Sequence, residues 1–195
     1  MKRIVTISRE YGSGGGTIGH ALAGKLGYEY YDRELILKTS RDSYMDVESI
    51  MKWDEKVAAN FGFAQSLFDF YNKPISEKVY ETQQKIIREI GEAGNCVIVG
   101  RNANSILKEF PGSLHVFIYA EPEWRVKYMQ AKTPEVSEAK MGEQIREMDN
   151  AIKKYCAYHT NKAFDVADNY DICLNTSALG IQTCVDILYE LVIRE

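Results

Sequence analysis

The chain has 195 residues, of which 45% are hydrophobic and 27% are charged, and its formal net charge at pH 7 is −4. These values are typical of a globular protein and predict a single domain over residues 1–195. The acidic balance disfavours a nucleic-acid partner, and no apolar run approaches the roughly 18 residues of a membrane span. A strand pattern begins next to Met1, so we expect no signal peptide and a cytoplasmic protein without a membrane partner.

Short apolar segments predict strands, and helical patterns separate them. The strand candidates are Ile4–Ile7, Tyr28–Tyr31, Cys96–Val99, Leu114–Tyr119 and Asp171–Leu174. The third and fourth are apolar at nearly every position, which is typical of strands covered on both faces. Strands that alternate with helices predict an α/β fold with a five-stranded parallel sheet and helices on both faces.

Three helices can be read from their periodicity. One covers Ile18–Leu26, directly after the first strand. A second covers Ser76–Glu89 and is expected to end before Gly91. The last helix, for which Ser177 is a candidate cap, has an apolar stripe of Ile181, Val185, Leu188 and Leu191.

Two long segments interrupt the alternation. Residues 38–73 are polar and rich in aromatic residues, which predicts a helical insertion that would also offer a surface for a homodimer. Residues 131–162 carry mixed charge and predict one or two helices that project from the core like a lid. Segments over the ends of parallel strands often border a ligand, although simple surface helices are the alternative for both.

A glycine-rich loop stands between the first strand and the first helix. It consists of Gly12, Ser13, Gly14, Gly15, Gly16 and Thr17. Strand, glycine loop and helix in this order predict a phosphate-binding loop, because glycine lets several backbone N–H groups face one anion. The pattern G-x-x-x-x-G-K-[ST] would place its lysine at Gly15, so that cation is missing. A tight turn without a ligand is the alternative.

The segments ISREYGSGG from Ile7 and YYDRELI from Tyr30 resemble the cytidylate-kinase-like branch of the P-loop nucleoside monophosphate kinases. Val99-Gly100-Arg101 and the region of Asn169 and Asn175 extend this resemblance, which runs from Met1 to about Ile193. It implies a P-loop three-layer sandwich with a helical insertion and a lid. It also implies ATP and Mg²⁺ as cofactors and a nucleotide or another small phosphorylated molecule as substrate.

In such kinases the glycine loop holds the donor phosphates and Thr17 matches the hydroxyl that contacts Mg²⁺. Gly15 stands where those kinases have a catalytic lysine. Arg9 takes the place of the first loop glycine and is close enough in sequence to reach the phosphates. Lys153 and Lys154 stand in the stretch that matches the arginine-rich lid. Arg9, Lys153 and Lys154 are therefore the catalytic candidates.

The resemblance implies that Asp32, Arg33, Arg101 and Asn102 bind the acceptor. A helix N-cap is the alternative for Asp32, and a surface ion pair is the alternative for Arg101. Asn102 replaces an aspartate of cytidylate kinases, which leaves specificity for cytosine open.

Three functions fit these residues. The first is a kinase that transfers the γ-phosphoryl group of ATP to a nucleoside monophosphate. The second is a non-catalytic nucleotide or anion sensor, since the loop lysine is missing. The third is a phosphotransferase with a non-nucleotide acceptor. A dinucleotide-binding dehydrogenase is disfavoured because the features after the third strand match kinases, although Asp32 lies at a spacing that such enzymes use.

Overall fold

A computed structural model describes residues 3–32 and 77–194. The strands in these ranges are β1 (Ile4–Arg9), β2 (Glu29–Tyr31), β3 (Cys96–Val99), β4 (Ser113–Tyr119) and β5 (Ile172–Asn175). The α-helices are α1 (Gly15–Leu26), α2 (Glu77–Ala93), α3 (Ala103–Ile106), α4 (Pro122–Gln130), α5 (Glu138–Thr160), α6 (Thr176–Leu179) and α7 (Ile181–Ile193). The predicted insertion over residues 38–73 and the candidate Arg33 lie outside the described residues.

The five strands form one parallel sheet in the order β2-β3-β1-β4-β5. β1 is central, with Ile4 opposite Cys96 of β3 on one side and opposite Ser113 of β4 on the other. Because the strands are parallel, their carboxyl ends share one edge of the sheet. The chain leaves β1 for α1 at this edge, between β3 and β4. The predicted α/β fold with a parallel sheet is confirmed.

Apolar side chains cover both faces of the sheet. One face packs against α1 and α7, with Val5 and Val116 in its core. The opposite face packs against α2 and α3 around Ile98, and against α5 around Phe117. Helices therefore cover the sheet on both sides, as expected of a three-layer sandwich.

Two helix boundaries differ from the prediction because of glycine. α1 begins at Gly15 rather than at Ile18, since the last glycines of the loop already have helical backbone. α2 continues past Gly91 to Ala93. A Cβ atom on Gly91 would lie 2.7 Å from Leu107 Cδ2, so this glycine allows close packing instead of ending the helix.

The prediction that Ser177 caps the last helix is wrong. Ser177 lies within the short helix α6, and α7 begins only after Gly180, whose φ of 78° separates the two helices. Asn175 caps the short helix α6, because its Oδ1 accepts a hydrogen bond of 3.0 Å from Ser177 N. The N-cap of α7 is Gly180.

Most of residues 131–162 form the single helix α5. Its N-cap is Ser137, whose Oγ accepts a hydrogen bond from Lys140 N. Met141 and Met148 lie on its buried face, in the core around Phe117. This region is therefore built into the second helical layer and does not project from the core as predicted. Neither α5 nor another helix in the described part of the chain has the length and apolar composition needed to cross a membrane.

Two glycines of α1 differ in their surroundings and offer a test of the packing. A Cβ on Gly19 would lie 2.8 Å from Val99 Cγ2, whereas nothing lies within 4 Å of a Cβ on Gly24. We expect Gly19→Ala to lower the free energy of unfolding by about 1–3 kcal/mol. Gly24→Ala should raise it by up to about 1 kcal/mol. Urea denaturation measures both, and equal effects would contradict the close packing of α1 on β3.

Candidate functional site

The loop between β1 and α1 turns at two glycines with left-handed backbone. Gly12 and Gly14 have φ values of 78° and 83°, which residues with a Cβ rarely adopt. Neighbouring side chains also occupy the space around them. A Cβ on Gly12 would lie 2.9 Å from Met129 Cγ, and a Cβ on Gly14 would lie 3.2 Å from Ile181 Cδ1. Both turns therefore require glycine.

The loop ends at the amino terminus of α1, where Gly14 is the N-cap. Ile18 N donates to Gly14 O at 2.9 Å, so the amides of Gly15, Gly16 and Thr17 precede the first hydrogen bond of the helix. The first turn of this fully described helix contains no acidic residue. Free amides and the positive end of the helix dipole attract anions, so the arrangement fits phosphate groups.

Ser13 holds the loop in shape. Its side chain is buried, and its Oγ lies 2.8 Å from Glu10 O and 3.2 Å from Ile118 O. Its carbonyl oxygen accepts a hydrogen bond of 2.7 Å from Thr176 Oγ1. The hydroxyl of Ser13, one of the predicted phosphate-binding residues, is therefore used in folding the loop onto the sheet.

The side chain of Arg9 crosses the loop over Gly15. A Cβ on Gly15 would lie 2.6 Å from Arg9 Cβ and 2.9 Å from Arg9 Cγ. The guanidinium extends to Gly100, directly after β3, where a Cβ would overlap Nη1 and lie 3.1 Å from Cζ. Two glycines thus leave room for one arginine. The aliphatic stem of Arg9 therefore lies beside the position at which the lysine is missing, and its charged group lies at the turn after β3.

The turn after β3 has three consecutive residues in left-handed conformation. The φ values are 82° at Gly100, 60° at Arg101 and 55° at Asn102. Ala103 N donates to Gly100 O at 3.1 Å and closes the turn. Such a backbone costs a residue with a Cβ on the order of 1–3 kcal/mol, and strain of this kind is concentrated at functional sites.

Arg101 and Asn102 are both interior residues, with exposed fractions of 3% and 7%. The alternative of a surface ion pair for Arg101 is therefore wrong. Asn102 Nδ2 is buried, and it has no hydrogen-bond partner among the described residues. Buried donors of this kind are normally satisfied, so this amide fits an acceptor atom of a ligand.

Asp32 ends the first described range and lies near Tyr30. Burial, and to a smaller extent the negative charge of Asp32, raises the pKa of Tyr30 to about 12. Tyr30 OH donates to Gly16 O at 3.3 Å. Asp32 is therefore placed on the β2 side of the glycine loop. The helix that it would cap as an alternative falls outside the described residues.

A buried ion pair fastens the loop to α4 and α5. Arg125 Nη1 of α4 lies 2.6 Å from Asp149 Oδ2 of α5 and donates to Tyr11 O at 3.2 Å. The second oxygen of Asp149 accepts a hydrogen bond of 2.9 Å from Tyr11 N. One carboxylate therefore fixes the loop backbone and the guanidinium together.

Glu10 is a second carboxylate beside Arg125. Its Oε2 accepts a hydrogen bond from Ala120 N and lies 3.7 Å from Arg125 Nε. Burial raises the pKa of Glu10, and the nearby charge of Arg125 opposes this effect. Arg125 thus lies between two carboxylates at the base of the loop.

Thr17, the predicted Mg²⁺ contact, is exposed in the first turn of α1. Its Oγ1 lies 2.7 Å from Tyr128 OH of α4. Lys132, just after α4, donates to the same hydroxyl at 2.9 Å, and its Nζ lies 4.2 Å from the centre of the Tyr128 ring. Trp124 stacks on Tyr128 with ring centroids 4.9 Å apart. These side chains border the loop on the α4 side.

The predicted lid lysines lie on the exposed face of α5. Lys153 Nζ is 2.8 Å from Asp165 Oδ2, and the hydrogen bond to this carboxylate raises the pKa of Lys153. Lys154 is exposed beside it. Lys153 is therefore engaged by a carboxylate, whereas Arg9 is the catalytic candidate that contacts the loop glycines.

The cytidylate kinase-like family has a sequence model that matches residues 4–178, which include the loop, the turn after β3 and both α4 and α5. The chain belongs to the cytidylate kinase-like family. This membership confirms the resemblance on which the site residues were chosen, and it supports a kinase-type phosphotransferase.

Solved structures share the P-loop kinase fold of this family member. An uncharacterized protein from Eubacterium ventriosum has a TM-score of 0.74 at 23% identity, with 98% of each chain covered. A shikimate kinase from Bacteroides thetaiotaomicron has a TM-score of 0.54 at 18% identity, covering 98% of this chain and 99% of that one. In sequence, the chain is 28% identical over 122 residues to a uronate isomerase from Corynebacterium glutamicum. That match covers 62% of this chain but spans only 23% of the isomerase.

α4 and α5 contribute residues to this cytidylate kinase-like site that are not among the predicted ones. Trp124, Tyr128 and Lys132 recur every four residues, a spacing that places them on one helix face, and this pattern was available as a signal. Arg125 and Asp149 carry no such signal, because their pairing depends on how the two helices cross.

The buried ion pair can be tested by removing its carboxylate. We expect Asp149→Ala to lower the free energy of unfolding by about 3 kcal/mol, at the low end for a broken buried ion pair, because Tyr11 N loses its acceptor and Arg125 keeps only Tyr11 O and Glu10. Asp186→Ala is the matched control, since Asp186 forms an exposed ion pair of 2.7 Å with Lys25 and little change is expected there. Urea denaturation compares the two. If Asp149→Ala lowers the free energy of unfolding no more than Asp186→Ala does, the contacts of Asp149 with Arg125 and Tyr11 do not hold the loop.

Proposed function

We propose that the protein is a phosphotransferase that moves the γ-phosphoryl group of ATP, with Mg²⁺, to a nucleoside monophosphate or a similar small acceptor. Family membership supports the reaction type. The observation that carries the proposal is the Arg9 side chain over Gly15. Its aliphatic stem passes Gly15, and its permanently charged guanidinium reaches Gly100 at the turn after β3, beside a loop that has no lysine.

The loop residues fit the phosphates of a nucleotide. The amides of Gly15, Gly16 and Thr17 would bind phosphate oxygens, and the exposed Thr17 hydroxyl would contact Mg²⁺. Among residues 3–32 and 77–194, no group of three or more His, Cys, Asp or Glu side chains could hold a metal ion. Mg²⁺ is often held by a few protein oxygens together with substrate phosphates, which agrees with one hydroxyl here. When bound, it would neutralise charge on the phosphates.

Arg9 would supply the positive charge that the loop lysine supplies in related kinases. Phosphoryl transfer depends mainly on positioning and charge neutralisation, and an arginine at the transferring group contributes roughly 10³–10⁵ in rate. The guanidinium extends from Gly15 of the donor loop to Gly100 of the turn after β3. Arg9 would therefore contact phosphate at the boundary between the donor and acceptor sides.

The acceptor would bind at the turn after β3 and the end of β2. Arg101 offers a planar fork for a phosphate or a carboxylate, and Asn102 Nδ2 offers a buried donor. Asp32 would accept from a hydroxyl or an amine, and Arg33 follows it in sequence. Asn102, an amide in place of an aspartate, favours a second candidate function, a phosphotransferase whose acceptor is not a nucleotide.

The first experiment is isothermal titration of the full chain with ATP and Mg²⁺, alone and in the presence of CMP. Micromolar binding that CMP strengthens is the expected result. ADP release is then measured with the common nucleoside monophosphates and with other small phosphorylated acceptors. Turnover only with the latter selects the second candidate. ATP binding without any turnover would favour a non-catalytic sensor, and an absence of ATP binding would overturn the proposal.

Arg9 takes the place of a loop glycine and Gly15 takes the place of the loop lysine. Substitutions that restore the standard residues test whether the arginine replaces the lysine. Gly15→Lys alone should weaken ATP binding, because its side chain overlaps Arg9. Arg9→Gly alone should lower turnover by about 10³ or more through loss of the charge. The double variant restores both standard loop residues. Its ATP affinity and turnover should be closer to those of the natural protein than the values of either single variant.

Gly24→Lys controls for adding a lysine to α1, since a Cβ there meets no atom within 4 Å. It should leave turnover unchanged. A double variant that is no better than the worse single variant would show that Arg9 does not replace the lysine.

A further inference from the structure

Lys132 is joined to the first turn of α1 through one hydroxyl group. Its Nζ lies 2.9 Å from Tyr128 OH, which lies 2.7 Å from Thr17 Oγ1. An ammonium group only donates hydrogen bonds, so Tyr128 OH accepts from Lys132, and either hydroxyl can be the donor in its contact with Thr17 Oγ1. The contact therefore brings a cation close to the amides that precede the first helical hydrogen bond.

Carboxylates do not account for the position of Lys132. The ion pairs among the described residues join Lys25 to Asp186, Arg125 to Glu10 and Asp149, and Lys153 to Asp165. The contacts of the Lys132 ammonium in that part of the chain are the hydroxyl and the ring of Tyr128, which carry no net charge.

A cation near the amino terminus of a helix is unfavourable, because this end of the helix dipole is positive. Here Arg9 approaches the first turn of α1 from the β3 side, and Lys132 approaches it from the α4 side. The first turn of α1 itself contains no acidic residue that would compensate for them. An anion bound between these groups would balance the positive charges of Arg9 and Lys132 and the positive end of the α1 dipole.

We propose that Lys132 contacts the phosphate chain of the ligand in the loop, opposite Arg9, and that Tyr128 positions Lys132 for this contact. The inference rests on the proposed function only in that phosphates occupy the loop. The ligand class is a polyphosphate, because Arg9 passes Gly15 and reaches Gly100, whereas Lys132 is joined to Thr17 through Tyr128 on the other side of the loop. Trp124 supports the arrangement by stacking on the Tyr128 ring that holds the lysine.

The test uses inorganic tripolyphosphate as the probe, with the full chain in isothermal titration. Lys132→Met should weaken binding about tenfold, since it removes one charge-assisted hydrogen bond and keeps the length of the side chain. The binding of this variant should also depend less on salt concentration, because one charge has been removed. Lys132→Arg should restore most of the affinity.

Lys127→Met is the matched control. Lys127 is exposed on the same helix, one residue before Tyr128. Its substitution should change the affinity by less than about twofold, as expected for a distant surface charge. Equal losses from Lys127→Met and Lys132→Met would overturn the proposal, as would a Lys132→Met variant that binds like the natural protein.

Tyr128→Phe tests the positioning role, since it removes the hydroxyl and keeps the ring. We expect a severalfold loss of tripolyphosphate affinity in the natural background and no further loss in the Lys132→Met background. Equal losses in both backgrounds would show that Tyr128 does not act through Lys132. Circular dichroism establishes that each variant is folded.

The outcomes separate this inference from the proposed function. Tripolyphosphate binding that depends on Lys132, without turnover for any acceptor, supports the inference and overturns the phosphotransferase. Turnover by the natural protein, together with a Lys132→Met variant of unchanged tripolyphosphate affinity, supports the phosphotransferase and overturns the inference. If the natural protein binds ATP but not tripolyphosphate, only the inference is overturned, and if it binds neither, both are overturned.

Discussion

The carboxylate of Asp149 is the constraint on which the rest of the site depends. It joins the loop backbone at Tyr11, the guanidinium of Arg125 and the long helix α5. Arg125 in turn fixes α4, which packs on the loop where Met129 faces Gly12. The position of α4 determines where Tyr128 meets Thr17. The region that the sequence indicated as a lid is therefore fixed to the phosphate loop at its base, and a closing motion would involve residues beyond this anchor.

In the function we propose, the positive charge at the loop comes from Arg9 and not from a lysine at position 15. A lysine at position 15 would start from the first turn of α1, whereas Arg9 starts from the last residue of β1. A side chain that starts on the strand must cross the loop, and this path requires that Gly15 have no Cβ. The guanidinium is wider than an ammonium group, and the missing Cβ of Gly100 gives it room. The missing lysine and the additional arginine are thus one structural change.

The fold could be predicted because each strand is a compact apolar segment and the helices between them have clear periodicity. The prediction fails where glycine has a role other than ending a helix, as at Gly91, and where Gly180 rather than Ser177 precedes the last helix. In the site, the loop and Arg9 could be predicted because they are adjacent in sequence. The pair of Arg125 and Asp149 could not, because its two members come from different helices and only their packing brings the side chains together. The same limit applies to Thr17 and Tyr128, which are separated by 111 positions.

The left-handed turn from Gly100 to Asn102 sets two requirements of the molecule against each other. Considering the backbone alone, glycine would relieve strain of about 1 kcal/mol or more at Arg101 and at Asn102. The same replacements would remove the guanidinium and the amide that we propose bind the acceptor, and they would leave the buried volume of both side chains unfilled. Relief of backbone strain and loss of packing therefore oppose each other at these two positions. Stability and acceptor binding must be scored separately whenever this turn is engineered.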